Sequence, residues 1–189
     1  PHRGMAAVRE LERCVRELGL HALYLTAFRT KLPANDKKLY PLYAKCVELG
    51  IPVHIDSSLN LSASVPYDIG HPRYIDEVAR DFPELKIMAG VSGWPWGLDF
   101  FALAFRHKNL YLNFETHEPR KMAQRGSGYE PYLYYMENQL TERICFASNW
   151  STQSLTVDEL VGQVEELPIS DRAKENVLYN NAKRFYDQL

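Results

Sequence analysis

Cysteine is scarce in this 189-residue chain. The three present, Cys14, Cys46 and Cys145, are odd in number, far apart and never in a CxxC pair. That spacing excludes a disulfide framework and a cysteine-based zinc knuckle. Cys14 and Cys46 fall on apolar faces of expected helices and Cys145 inside an expected strand, so all three read as buried free thiols in a reducing, cytoplasmic compartment. No apolar run reaches the roughly 18 residues that a bilayer demands. Charge of one sign is also lacking: Lys and Arg number 22 against 24 Asp and Glu, for a formal net charge of −2. With no basic patch, neither nucleic acid nor a membrane surface is expected as a partner. The opening PHRGMAAVRELERC is a charged amphipathic helix rather than a secretory leader. With Pro1 where an initiator Met would stand, the chain is expected to be the middle of something longer, or a trimmed piece.

What is present is a repeated alternation of periods. Val8, Leu11, Val15 and Leu18 recur at helical spacing up to Gly19, and residues 21–28 then form an apolar strand. A polar loop over 29–36 leads to a helix that turns Leu39, Leu42, Tyr43, Cys46, Val47 and Leu49 inward and stops at Gly50. Strands follow at 51–56, 85–89, 110–115 and 143–148. Between them lie a loop over 57–70, a helix from His71 with Ile75, Val78 and Ala79 on one face, a turn over 90–96, a helix over 98–105, a polar loop over 117–129 and an aromatic-rich helix over 130–140. Thr156 and Glu159 make a capping box for the helix 157–167, and Ser170 caps the last helix. Five strands alternating with helices through short connections predict one α/β domain over 1–189, with a parallel sheet and right-handed crossovers. Doubly wound and barrel arrangements both satisfy that alternation.

Four segments carry a family resemblance. They are Tyr40-Pro-Leu-Tyr with Glu48-Leu-Gly-Ile-Pro-Val-His-Ile-Asp56; His71 to Gly90; Glu142-Arg-Ile-Cys-Phe-Ala-Ser-Asn-Trp150; and Asn176-Val-Leu-Tyr-Asn-Asn-Ala-Lys-Arg-Phe185. In order and spacing the chain resembles the amidohydrolase-related family that includes aminocarboxymuconate semialdehyde decarboxylase and dihydroxybenzoate decarboxylases, over strands four to eight of its barrel. The resemblance implies a partial TIM-type (β/α) barrel with its site at the C-terminal strand ends. It also implies a divalent metal such as zinc, held by an HxH pair on strand one, a His ending strand five, a His ending strand six and an Asp ending strand eight. This chain departs from that pattern throughout. It contains no HxH, and Asp56, Gly90 and Asn149 stand at the three positions that can be compared. No resident metal is therefore expected unless the site is rebuilt. Five parallel strands would also leave two open edges, so a homo- or hetero-oligomeric partner supplying the missing strands is expected, with an open sheet or a trimmed piece as the alternatives.

Other residues offer chemistry at the same strand ends. His54 and Asp56 are two apart and share a face, as do Asn113, Glu115 and His117. A metal site rebuilt from His54, Asp56, Glu115 and His117 is one reading; a hydrogen-bonded core His54 is another; metal-free acid–base work by Asp56, His54 and Glu115 is a third. Arg29 either pairs with a substrate carboxylate or is a solvated loop residue. Trp94, Trp96, Asn149 and Trp150 fall at the expected mouth, where the aromatics either line a small-molecule pocket or fill the space left by lost ligands. Two functions follow as expectations. The first is a catalytically degenerate family member acting as partner subunit or small-carboxylate binder. The second is an active hydrolase or carboxy-lyase on a small carboxylated substrate, working without metal or with a site completed by another chain.

Overall fold

A computed structural model describes residues 1–115 and 117–187. Five short strands form one sheet in the order β1-β2-β3-β4-β5, every neighbouring pair parallel. They are β1 (Leu23–Leu25), β2 (Val53–Asp56), β3 (Ile87–Gly90), β4 (Leu110–Asn113) and β5 (Ile144–Cys145). Sequential order without a reversal is the strand order of a barrel segment and not of a doubly wound sheet.

Helices α1 (Met5–Arg16), α2 (Ala27–Thr30), α3 (Tyr40–Leu49), α4 (Arg73–Asp81), α5 (Gly97–Arg106), α6 (Pro119–Met122), α7 (Glu130–Glu137) and α8 (Val157–Glu165) precede, connect and follow the strands. The chain ends in α9 (Asp171–Glu175), a π-helical turn (Asn176–Asn180) and α10 (Asn181–Tyr186). No helix among the described residues is long and apolar enough to cross a membrane. The capping box closes as expected: Thr156 Oγ1 accepts from the Glu159 amide at 3.2 Å, and the Glu159 carboxylate accepts from the Thr156 amide at 2.7 Å.

Three sequence expectations are corrected. The first strand was expected over 21–28, but pairing stops at Leu25 and Ala27 begins α2. Thr26 is still extended there, and its carbonyl already accepts from the amides of Arg29 and Thr30, so the backbone turns as soon as the sheet ends. The strand expected over 143–148 pairs only at Ile144 and Cys145, because the Phe146 amide leaves the sheet to donate to Val177 O at 2.8 Å. The loop expected over 117–129 contains α6, started by Pro119 at a position where its missing N–H is harmless.

Strand alternation divides the molecule into two faces. Val53, Ile55, Ile87, Ala89, Leu110, Leu112 and Ile144 are buried in the main core with residues of the surrounding helices. Each such side chain contributes about 1.5–3 kcal/mol through burial. The opposite parity carries Tyr24, His54, Asp56, Met88, Gly90, Tyr111, Asn113 and Cys145. The lower part of that concave face is covered by the chain's own end. Phe185 is fully buried with Met88 and Cys145, its ring 5.1 Å from Tyr111, while Lys86 Nζ donates to its carbonyl at 2.8 Å. Asn181 Nδ2 donates to Thr141 O at 2.9 Å and to Ile144 O at 2.7 Å, tying the last helix to β5.

Phe185→Ala is expected to destabilise the chain by about 3 kcal/mol, read as a lower denaturant midpoint. A loss below roughly 1 kcal/mol would mean that the aromatic ring is not a core residue.

Candidate functional site

Parity and register build the mouth. Asp56 ends β2 opposite Gly90, the last residue of β3. A Cβ built on Gly90 would stand 3.6 Å from Asp56 Oδ1 and 3.5 Å from both amide atoms of Asn113, ordinary contact distances. Asp56 and Asn113 therefore flank the glycine across the floor, and neither the backbone of Gly90 (φ −106°) nor space demands a glycine there. Glu115 follows β4 by two residues, on the parity of Asn113.

The turn after β3 holds these groups. Val91, Ser92 and Gly93 all take positive φ, at 62°, 60° and 66°. For the β-branched Val91 and for Ser92 this conformation costs about 1–2 kcal/mol each. Several contacts impose it. Asn113 Oδ1 accepts from the Val91 amide at 3.2 Å, Ser92 Oγ donates to Glu115 O at 2.5 Å, and Tyr132 Oη donates to Ser92 O at 2.9 Å. Gly93 is obligatory, since a Cβ there would lie 2.5 Å from Phe100. The strained turn thus couples the floor residue Asn113 to the backbone at Glu115.

Two carboxyl groups share this half-buried ground. Burial raises Asp56 to about 6, against the opposing pull of the Tyr24 hydroxyl and the Arg29 charge. Burial, then the negative charge of Asp56, raises Glu115 to about 7. Each member of the pair holds its proton into a range where free carboxyl groups are ionised. Tyr24 donates to Asp56 Oδ1 at 2.9 Å and Oδ2 at 3.0 Å. Beside Asp56 opens a cleft of about 330 Å³, lined by Ala27, Phe28, Ser58, Leu59, Asn60 and Leu61 among others.

The other expected residues are placed as follows. Arg29 is exposed on α2, its guanidinium 5.6 Å from the Phe28 ring centroid. His54 lies one layer below Asp56, where Tyr186 Oη and His54 Nε2 are 2.7 Å apart and burial lowers the imidazole's pKa. His117 is hydrogen-bonded through Nε2 to Tyr129 Oη. The Trp96 ring lies tilted against His71, centroids 4.4 Å apart, and the Trp94 carbonyl accepts from the Leu59 amide at 2.7 Å, so both residues touch the segment 57–71, with the Trp94 side chain exposed. Asn149 takes a left-handed conformation, with its carbonyl accepting from Thr152 N at 3.0 Å, and Trp150 is 61% exposed.

For the rebuilt metal site, His54 stands one row below Asp56 on β2 and pairs with Tyr186, while His117 pairs with Tyr129. Among the described residues no group of three His, Cys, Asp or Glu is placed to hold a metal ion. At the family's positions Asp56 offers one carboxylate, Gly90 offers no donor, and Asn149 offers a neutral amide. The donor set of this chain does not fit a conventional mononuclear centre. Sequence reasoning missed Tyr24 and the strained turn. Alternation along Leu23–Leu25 could have put the Tyr24 hydroxyl on the polar face, whereas nothing in the sequence signals a positive φ at Val91.

A carboxyl group raised in the fold binds a proton that the unfolded chain has already lost, so stability falls as pH rises through the interval. For Asp56 and Glu115 that interval runs from about 4 to about 7. Glu115→Gln should flatten the fall between about pH 4.5 and 7. A denaturation series across pH with the same slope in variant and parent would contradict the raised carboxyl.

The amidohydrolase family matches residues 2–188. Among solved structures, the chain is similar to the uncharacterised TIM-barrel protein Bb4693 from Bordetella bronchiseptica, at 28% identity and a TM-score of 0.79, covering 97% of this chain and 62% of that one. It is similar to 2,6-dihydroxybenzoate decarboxylase from Rhizobium, at 14% identity and a TM-score of 0.69, over 97% of this chain and 68% of that one. It is also similar to 5-carboxyvanillate decarboxylase from Novosphingobium aromaticivorans, solved with manganese and 4-hydroxy-3-methoxy-5-nitrobenzoic acid, at 15% identity and a TM-score of 0.68, over 96% of this chain and 60% of that one. At these two lower identities the likeness is one of fold. No curated protein sequence matches the chain. The chain thus spans a little over three fifths of the length of Bb4693. The alternation, the sequential parallel order and the family match over residues 2–188 agree, and the chain belongs to the amidohydrolase family.

Proposed function

We propose that this chain binds a small carboxylated molecule at the mouth of its partial barrel and does not assemble the family's metal-dependent centre from its own residues. In that sense it is a catalytically degenerate member. The observation that carries the reading is the composition of the floor. Asp56 and Asn113 flank Gly90, and a proton-holding pair, Asp56 and Glu115, stands where a ligand set would need three convergent donors. A carboxylate entering the cleft beside Asp56 finds the charge of Arg29 on α2. Near neutrality a protonated Glu115 can donate to it instead of repelling it. The edge of β1, flanked by a cleft of about 650 Å³ between α1 and the strand, is where a partner polypeptide would add strands.

One observation favours an active, metal-free enzyme as the second reading. Glu115, raised to about 7, is suited to give and take a proton near neutral pH. Asp56 would then be its ionised companion, and the activity a hydrolase or carboxy-lyase reaction.

Titration calorimetry with 2,6-dihydroxybenzoate and with 5-carboxyvanillate separates the readings. The binder reading expects metal-independent association that weakens as pH rises through about 7, where Glu115 ionises, and that weakens roughly tenfold in Arg29→Gln, the loss of about 1.4 kcal/mol expected of one charged hydrogen-bond partner. Carbon dioxide release from either compound without added metal would establish the second reading. Absence of binding to both at pH 5 and pH 8 would contradict the first.

A further inference from the structure

The cleft beside Asp56 has one wall residue whose side chain and backbone disagree. Val91 has a φ of 62°. A left-handed backbone is costly for any residue with a Cβ, and most of all for a β-branched one. The next two residues share that conformation and have visible reasons for it. Ser92 is buried, its hydroxyl donating to Glu115 O and its carbonyl accepting from Tyr132 Oη. Gly93 leaves room for Phe100, which a Cβ would meet at 2.5 Å. Val91 is tied to the floor through its amide, which donates to Asn113 Oδ1 at 3.2 Å. A glycine would make the same bond without the strain. The isopropyl group is half-buried and belongs to neither apolar cluster of the molecule.

Core packing therefore does not account for a valine at this position, and the cleft does. Val91 lines the cleft of about 330 Å³ together with Asp56, Phe28, Leu59 and Leu61. Gly90 is the register partner of Asp56, so Val91 stands one residue beyond the carboxyl group along the turn. The wall that carries Ser58 and Leu59 is fastened to the turn on both sides of Val91. The Ser57 amide donates to Gly90 O at 3.0 Å, and the Leu59 amide to Trp94 O at 2.7 Å. A wall pinned at two points does not withdraw to admit a wide ligand. We propose that Val91 is a specificity-determining residue: its branched side chain, held at the cleft by a backbone conformation that glycine adopts without steric cost, limits the width of the molecule admitted beside Asp56. The ligand class is a flat carboxylate with no bulky substituent on the flank that meets Val91. The inference rests on the reading of this cleft as the ligand site.

Two ligand pairs test it by ligand-observed NMR on the 189-residue chain. Benzoate and 3,5-dimethylbenzoate carry the same charge and differ in width; phenol and 3,5-dimethylphenol repeat that difference without the charge. The quantity read is the ratio of dissociation constants within each pair. In the parent the narrower member is expected to bind more tightly. Val91→Gly is expected to shift the ratio about tenfold toward the wider member, the lower end of what one methylene supplies in an apolar pocket. Val91→Ala removes both methyl groups and keeps the Cβ; it is expected to shift the ratio the same way, and it carries the test if the glycine variant does not fold. A purely structural role for Val91 changes both members of a pair alike and leaves the ratio where it was. An unmoved ratio in both pairs would overturn the proposal, as would absence of binding by all four compounds to parent and variants. A shift in the benzoates supports both the gate and the carboxylate reading. If the ratio moves for the phenols while neither benzoate binds, the gate stands and the carboxylate reading fails.

Discussion

Side-chain parity across parallel strands governs the mouth of this molecule. Because alternate residues face opposite sides and neighbouring strands run in step, the register that buries Val53, Ile87 and Leu110 under helices puts Tyr24, His54 and Met88 in one row of the concave face. The same register puts Asp56 beside Gly90 in the next row. A slip of one residue would exchange the core for the site. The apolar face therefore fixes where the carboxyl groups stand.

Burial dominates the electrostatics of the mouth, raising Asp56 to about 6 and Glu115 to about 7, with the charge of the exposed Arg29 pulling Asp56 the other way. His54 and His117 each have a tyrosine partner, Tyr186 and Tyr129. The strained turn Val91–Gly93 belongs to the same design. A β-branched residue at φ 62° persists only because Asn113, Ser92, Tyr132 and Phe100 hold the backbone around it.

Much of the architecture was legible in the sequence, because it rests on period and punctuation. The switch from helical spacing to short apolar strands, Gly50, the Thr156–Glu159 box and the Ser170 cap each act locally, and the structure contains them. Boundaries were less legible. Residues 26–28 are apolar enough for a strand, yet the chain turns into α2 at Ala27, and Phe146 gives its amide to Val177 thirty-one residues later in the chain. In the site, the shared face of His54 and Asp56 followed from period two alone. What could not be read was long-range pairing: Tyr24 with Asp56, Tyr186 with His54, and Tyr129 with His117, each a contact made by tertiary packing.

The central claim is the proposal that this chain does not assemble a metal centre from its own residues and instead presents the carboxyl groups of Asp56 and Glu115, both raised by burial, at its mouth. Metal content by plasma mass spectrometry, on the 189-residue chain purified without chelator and offered zinc and manganese before desalting, tests it most directly. The account predicts metal far below one equivalent, with no change in Asp56→Ala. Near-stoichiometric zinc or manganese that disappears in Asp56→Ala would contradict it.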